Sequence, residues 1–370
     1  MTDKKPIGLY IHIPFCRSKC PYCDFYSFIP NGNIINDYKE AVIREIEEKN
    51  PLCDTVYFGG GTPSFAGEKT LCEILSHIRK AESCEITVEC NPADTGREEY
   101  DFDFSALAKA GVNRISMGLQ SGIESERKAL GRLSGCDEIS RAISRAKKAG
   151  IENISLDLML GIPGQTKESL QKSIDFCASS GAKHISAYIL KIEDETYFGK
   201  HREKLVLPDE DETCDLYLQA VKSLEEYGFK QYEISNFAFP GFESRHNLKY
   251  WHLEDYLGIG PAAHSFIGGK RFYRERDIYS FIKGEKPVPD GTGGDCEEYI
   301  MLSLRLAEGL SFDILKEKYN VAPGNAFFDY AKKLSENSLI NLTDEGLSLT
   351  PRGFLISNSI ITELIERLIP

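Results

Sequence analysis

Apolar positions along the chain alternate between two periods. β-Branched-rich runs at Ile7–Phe15, Thr55–Gly59, Glu85–Cys90, Arg114–Leu119, Ile154–Leu160 and His184–Leu190 predict strands. Between them, helical spacing marks Asp37–Lys49, Thr70–Lys80, Ser105–Ala110, Asp137–Ala149 and Lys167–Ser179. In the first of these, Tyr38, Val42, Ile43 and Ile46 would share one face. Six βα units are thus expected by about residue 230, and such alternation implies a parallel sheet with right-handed crossovers. The pattern fits an open partial barrel and a doubly wound sheet equally. In both, function gathers at the carboxyl ends of the strands.

After a helical stretch at Asp211–Tyr227 and a strand-like Tyr232–Ala238, the chain becomes Gly- and aromatic-rich as far as about Gly294. From Glu297 onward, three helical patterns precede Leu339–Pro351, where Asp344–Gly346 would turn between two strand-like pieces. The expected organisation is an α/β unit over 1–240, a connector over 241–294, and a small helical, winged-helix-like domain over 295–370.

Composition narrows the function. With 370 residues, 41% hydrophobic and 27% charged, the chain can build an ordinary core. Its net charge of −13 argues against a broad nucleic-acid surface, and the basic run Arg271–Arg276 reads as a solvated hairpin edge. No signal peptide precedes the first strand, and no apolar run approaches the ~20 residues of a membrane span. The expected location is therefore cytoplasmic, with membrane contact only through partners. Of eleven cysteines, eight are scattered without metal-ligand spacing and are expected to be buried thiols.

The other three, Cys16, Cys20 and Cys23, crowd the loop after the first strand. Three thiolates do not complete a tetrahedral zinc site, and a [4Fe–4S] cube held by three keeps one iron open for a chelating ligand. A zinc site completed by His12 or a distant residue is the alternative metal reading. The spacing Cys-x₃-Cys-x₂-Cys resembles the signature of the radical S-adenosylmethionine superfamily. That resemblance implies a partial (β/α)₆ barrel, a [4Fe–4S] cluster, and S-adenosylmethionine whose sulfonium is cleaved to a 5′-deoxyadenosyl radical.

Phe58-Gly-Gly60-Gly61-Thr62-Pro63 ends the second strand, and its glycines open the backbone to a charged ligand. Glu89, Gln120 and Asp157 lie near the ends of successive strands, with Arg132 following Gln120. Carboxylates and an amide suit ribose hydroxyls, and an arginine suits a carboxylate. One by one these positions, with Tyr10 and Tyr22, resemble S-adenosylmethionine contacts in the oxygen-independent coproporphyrinogen III dehydrogenase family, Tyr22 lying beside the adenine.

The resemblance to that family covers nearly the whole chain, with two departures. Phe25 stands where the dehydrogenase pattern has a further cysteine, and the first cysteine is already residue 16, without the dehydrogenase's long preceding arm. Both departures match the family's haem-chaperone branch, as does His246-Asn-Leu-Lys-Tyr250-Trp251, which resembles that branch's His-Asn-x-x-Tyr-Trp motif. His246 is accordingly expected to ligate haem, with His252 and His264 as rivals. The implied function is to bind haem and deliver it to haem enzymes such as respiratory-chain proteins, with an electron donor serving the cluster. The alternatives are radical decarboxylation of porphyrinogen propionates to vinyls, and simple electron transfer by a cluster protein.

Overall fold

The fold, described for residues 5–96, 102–132 and 134–368 in a computed structural model, is organised by its strand order. Strands β1 (Ile7–Ile13), β2 (Leu52–Gly60), β3 (Arg79–Cys90), β4 (Arg114–Gln120), β5 (Asn153–Leu160) and β6 (His184–Ile189) pair in chain order, each parallel to the next. A doubly wound sheet would reverse direction at a switch point. Unbroken order means that every crossover winds the same way, and the result is an open partial (β/α)₆ barrel. These strands read as near-continuous apolar runs because both faces are covered, one by helices and one by the barrel interior.

Both edges of the sheet are extended. Beyond β6 lie β7 (Lys230–Glu233) and β8 (Asn236–Ala238), an antiparallel hairpin rather than the single strand expected over Tyr232–Ala238. The Glu233 carboxylate accepts from the Ser235 amide at 3.2 Å and stabilises the turn between them. Beyond β1 lie β9 (Tyr256–Ile259), parallel to it, and then β10 (His264–Ile267), β11 (Lys270–Tyr273) and β12 (Val288–Thr292), antiparallel in sequence. Segment 241–294 therefore belongs to the same twelve-stranded sheet.

The helix expected over Thr70–Lys80 stops at Ser76, and Arg79 and Lys80 instead open β3 by pairing with Leu52 and Cys53. The basic run that starts on β11 and continues beyond it is paired: Arg271 with Glu298 and Arg274 with Glu45, while Arg276 lies 3.6 Å from Asp24. At the C-terminal end, β13 (Leu310–Ser311), β14 (Ile340–Leu342) and β15 (Gly346–Leu349) form a three-stranded antiparallel wing among helices that include Asn325–Glu336 and Ser357–Leu368. One apolar core runs from the barrel into this wing and its helices. Among the described residues, no helix is long and apolar enough to cross a membrane.

Candidate functional site

The loop carrying Cys16, Cys20 and Cys23 leaves β1 and is closed on itself, with the Cys16 amide donating to Phe28 O at 3.0 Å and Phe28 N to Pro14 O at 2.9 Å. Arg17 adds an ion pair to Asp94 at 2.8 Å. All three thiols are free and half-buried. Burial pushes the Cys23 thiol up, and the neighbouring Cys20 and Cys16 add to this. Among the described residues, no three His, Cys, Asp or Glu side chains are placed to hold a single metal ion. A cube distributes its thiolates over separate irons, whereas zinc draws four ligands to one point, so the donor set fits the cluster. His12 does not complete a zinc site. Its Nδ1 accepts from the Tyr10 hydroxyl at 3.0 Å and its Nε2 donates to Tyr26 O at 2.8 Å, and burial lowers its pKa to about 4.

The glycine turn after β2 ties this loop to the barrel. Gly61 N donates to Ile13 O and Thr62 N to Phe15 O, both at 2.8 Å, and the Thr62 hydroxyl lies 3.4 Å from Cys16 Sγ. Glycine is required here. Gly60 sits at φ +107°, where a Cβ would come within 2.5 Å of the His12 ring, and a Cβ on Gly61 would lie 2.7 Å from Ile13 O. With the Gly61 and Thr62 amides spent, the turn offers acceptors, which is what an ammonium needs.

The strand-end residues form two groups. Glu89 accepts from the Tyr57 hydroxyl at 2.8 Å and from Gly60 N at 3.3 Å, and burial pushes its pKa up to about 7. Across the mouth, Arg132 Nε donates to the Tyr22 hydroxyl at 3.0 Å, and Cys20 and Asp157 are close enough to act on the guanidinium. The Tyr22 ring rests among Leu130, Met159 and Phe198, a small apolar cluster of its own. Asp157 accepts from the Ser116 hydroxyl at 3.3 Å, and burial raises its pKa. Gln120 adopts φ +67° at a bulge opposite β5, an uncommon backbone state for a non-glycine residue and one that clusters at functional sites. Tyr10 joins the Glu89 group to an adjoining cleft: its ring lies 6.2 Å from that of Tyr57 and lines that cleft.

That cleft, of about 660 Å³, lies between the tail of the cysteine loop (Asp24–Tyr26) and the β10–β11 hairpin, with Tyr10 and Tyr250 among its lining residues. His246, expected as a haem ligand, is not among the residues lining this cleft. The imidazole is 1% exposed, its Nδ1 lies 2.8 Å from the Thr55 hydroxyl, and its Nε2 lies 2.7 Å from the Tyr250 hydroxyl. With both nitrogens spent and its pKa lowered to about 3, chiefly by burial, the ring meets the cleft from behind Tyr250 and Tyr10. His252 is paired with Glu308, away from the cleft.

Comparison with known proteins places this geometry. Residues 10–177 match the radical SAM superfamily and residues 295–356 the HemN C-terminal domain. The Bacillus subtilis (strain 168) protein named heme chaperone HemW is 35% identical over 379 residues, covering 97% of this chain and 99% of that protein. The chain belongs to this haem-chaperone family of radical S-adenosylmethionine proteins. Namesakes from Lactococcus lactis (32% over 375 residues, 98% of each chain) and Escherichia coli K12 (39% over 299 residues, 77% of this chain and 78% of that one) agree. The Escherichia coli coproporphyrinogen III oxidase HemN, described as a radical SAM enzyme, shares the fold with a TM-score of 0.81 at 20% identity, over 98% of this chain and 90% of its own. Membership of the family implies a [4Fe–4S] cluster and S-adenosylmethionine.

Sequence reasoning missed two members of the haem-chaperone barrel. Gly118, on β4, leaves the space that Gln120 and Arg132 occupy: a Cβ there would lie 2.5 Å from Gln120 Nε2 and 3.2 Å from Arg132 Nη2. Arg114 opens β4, is 2% exposed, and keeps its Nε without a partner, beside Thr87, whose hydroxyl is likewise unpartnered. A cation at the head of an otherwise apolar strand was the available signal.

Proposed function

We propose that this chain is a haem chaperone that binds haem and passes it to haem enzymes such as respiratory-chain proteins, while holding a [4Fe–4S] cluster on Cys16, Cys20 and Cys23 and S-adenosylmethionine in the barrel mouth. The observation that carries the reading is the aromatic cleft beside the cysteine loop, in a chain whose full-length relatives bear the chaperone's name. When bound, the cluster supplies an open iron for an amino-acid chelate and a source of electrons.

The chain's own residues then divide the ligand. The Gly60–Thr62 turn and Glu89 would face its cationic end, and Arg132 would hold its carboxylate. Asp157 and Gln120 would meet the ribose hydroxyls, and Tyr22 would lie beside the adenine. Tyr10 belongs to both sites, since its hydroxyl holds His12 and its ring lines the cleft. Phe25, at the position of the dehydrogenase's further cysteine, is 68% exposed and lines the cleft. This favours carriage over porphyrinogen decarboxylation. The proposed setting is the cytoplasm, with an electron donor for the cluster and membrane contact through haem-accepting partners.

Anaerobically reconstituted protein titrated with haem and followed by absorbance tests the reading. Saturable uptake with a shifted Soret band is expected. No uptake, together with repeated conversion of coproporphyrinogen to protoporphyrinogen, would replace the chaperone with the enzyme.

A further inference from the structure

The chain has seven histidines, and among the described residues six of them spend at least one ring nitrogen on a protein partner. His264 alone hydrogen-bonds through neither. It is exposed at the start of β10, in the wall of the 660 Å³ cleft, with its ring stacked on Tyr273 at 5.6 Å between centroids. An imidazole whose orientation is fixed by stacking and whose lone pair has no competitor is suited to coordinate a metal.

The rest of the cleft describes what would bring that metal. Tyr250 and Tyr256 meet edge to face at 4.4 Å and, with Phe25 and Tyr26, offer aromatic surface to a flat apolar ligand. Of the charged groups in the cleft wall, Arg274 and Arg276 with Asp24, Glu275 and Asp290, Arg274 is held by Glu45, and Arg276, whose side chain is 57% exposed, is the cation open to an acidic group on that ligand. A flat ring, a coordinating metal and peripheral carboxylates together describe an iron porphyrin.

On the functional reading above, on which this inference rests, we propose that His264 is the axial ligand of haem in this cleft. His246 is a positioning residue that holds the Tyr250 hydroxyl from behind.

The test uses the full-length, cluster-reconstituted protein, titrated with ferric haem and separately with iron-free protoporphyrin. His264→Ala should lower haem affinity at least about tenfold and abolish the imidazole-ligated Soret and electron paramagnetic resonance signatures, and free imidazole should restore them. Protoporphyrin, which has no iron to ligate, should bind variant and wild type alike. His246→Ala should weaken haem binding while keeping the ligated spectrum. If His264→Ala retains wild-type affinity and spectrum, or if His246→Ala alone loses the ligated spectrum, the assignment is wrong and the chaperone reading survives. If wild-type protein takes up no haem, the chaperone reading itself fails.

Discussion

Glu89 is a carboxyl whose surroundings set its charge. Burial raises its pKa from the ordinary 4.5 to about 7, so between those values the folded chain keeps a proton that the unfolded chain has released. The stability this group contributes is fully present below 4.5 and is lost as pH rises through about 7. Thermal melts of the ligand-free protein should therefore lose more stability on going from about pH 5 to about pH 8 in wild type than in Glu89→Gln. A cationic ligand should show the opposite trend, with S-adenosylmethionine binding strengthening as Glu89 ionises and the Gln variant staying flat. Superimposable pH profiles would remove Glu89 from the pocket. Gly60 makes a second claim at this scale. A Cβ there meets both an unfavourable φ of +107° and the buried His12 ring, so Gly60→Ala should lower unfolding stability by about 1–3 kcal/mol. An unchanged denaturation midpoint would show that the turn can relax.

Elements were legible in the sequence to the degree that burial imposed a pattern. The six barrel strands could be read because covering both faces of a parallel strand demands apolar, β-branched runs. The hairpin at Lys230–Ala238 and strands β9–β12 could not, since most are short and the outer ones, Lys270–Tyr273 and Val288–Thr292, bury no residue fully and so carry no apolar run. The cysteine triad was legible because its spacing is itself chemical information. The role of the short helix Arg245–Trp251 was not. Its motif is visible, but only the fold shows that Glu85 accepts from the Arg245 and His246 amides at 3.2 and 3.1 Å, and that the His246 ring bridges Thr55 and Tyr250. A buried imidazole bonded on both sides is a structural strut. His246→Ala strands two hydroxyls and should cost about 1–3 kcal/mol of stability, measurable by chemical denaturation of the cluster-free chain. Loss of haem binding with no loss of stability would return His246 to the role of ligand.

At the scale of the molecule, β1 is the hinge between two chemistries. It pairs on one side with β2, which leads to the glycine turn and the proposed S-adenosylmethionine residues, and on the other with β9, which leads to the proposed haem cleft. The loop that follows β1 serves both sides. Cys16 lies against Thr62, while Asp24, Phe25 and Tyr26, directly after Cys23, line the cleft. Cluster assembly and haem binding should therefore be coupled through the order of one loop. Cys20→Ala should fold with its barrel intact but fail to retain the cube, seen as loss of bound iron and sulfide. Because its loop then loses the tie that the cluster would supply, it should also bind haem more weakly than the reconstituted wild type, by an amount equal to the difference between wild-type protein with and without its cluster. Equal haem affinity in all three preparations would show that the cleft is complete without the cluster, and that the two sites share a strand but no equilibrium.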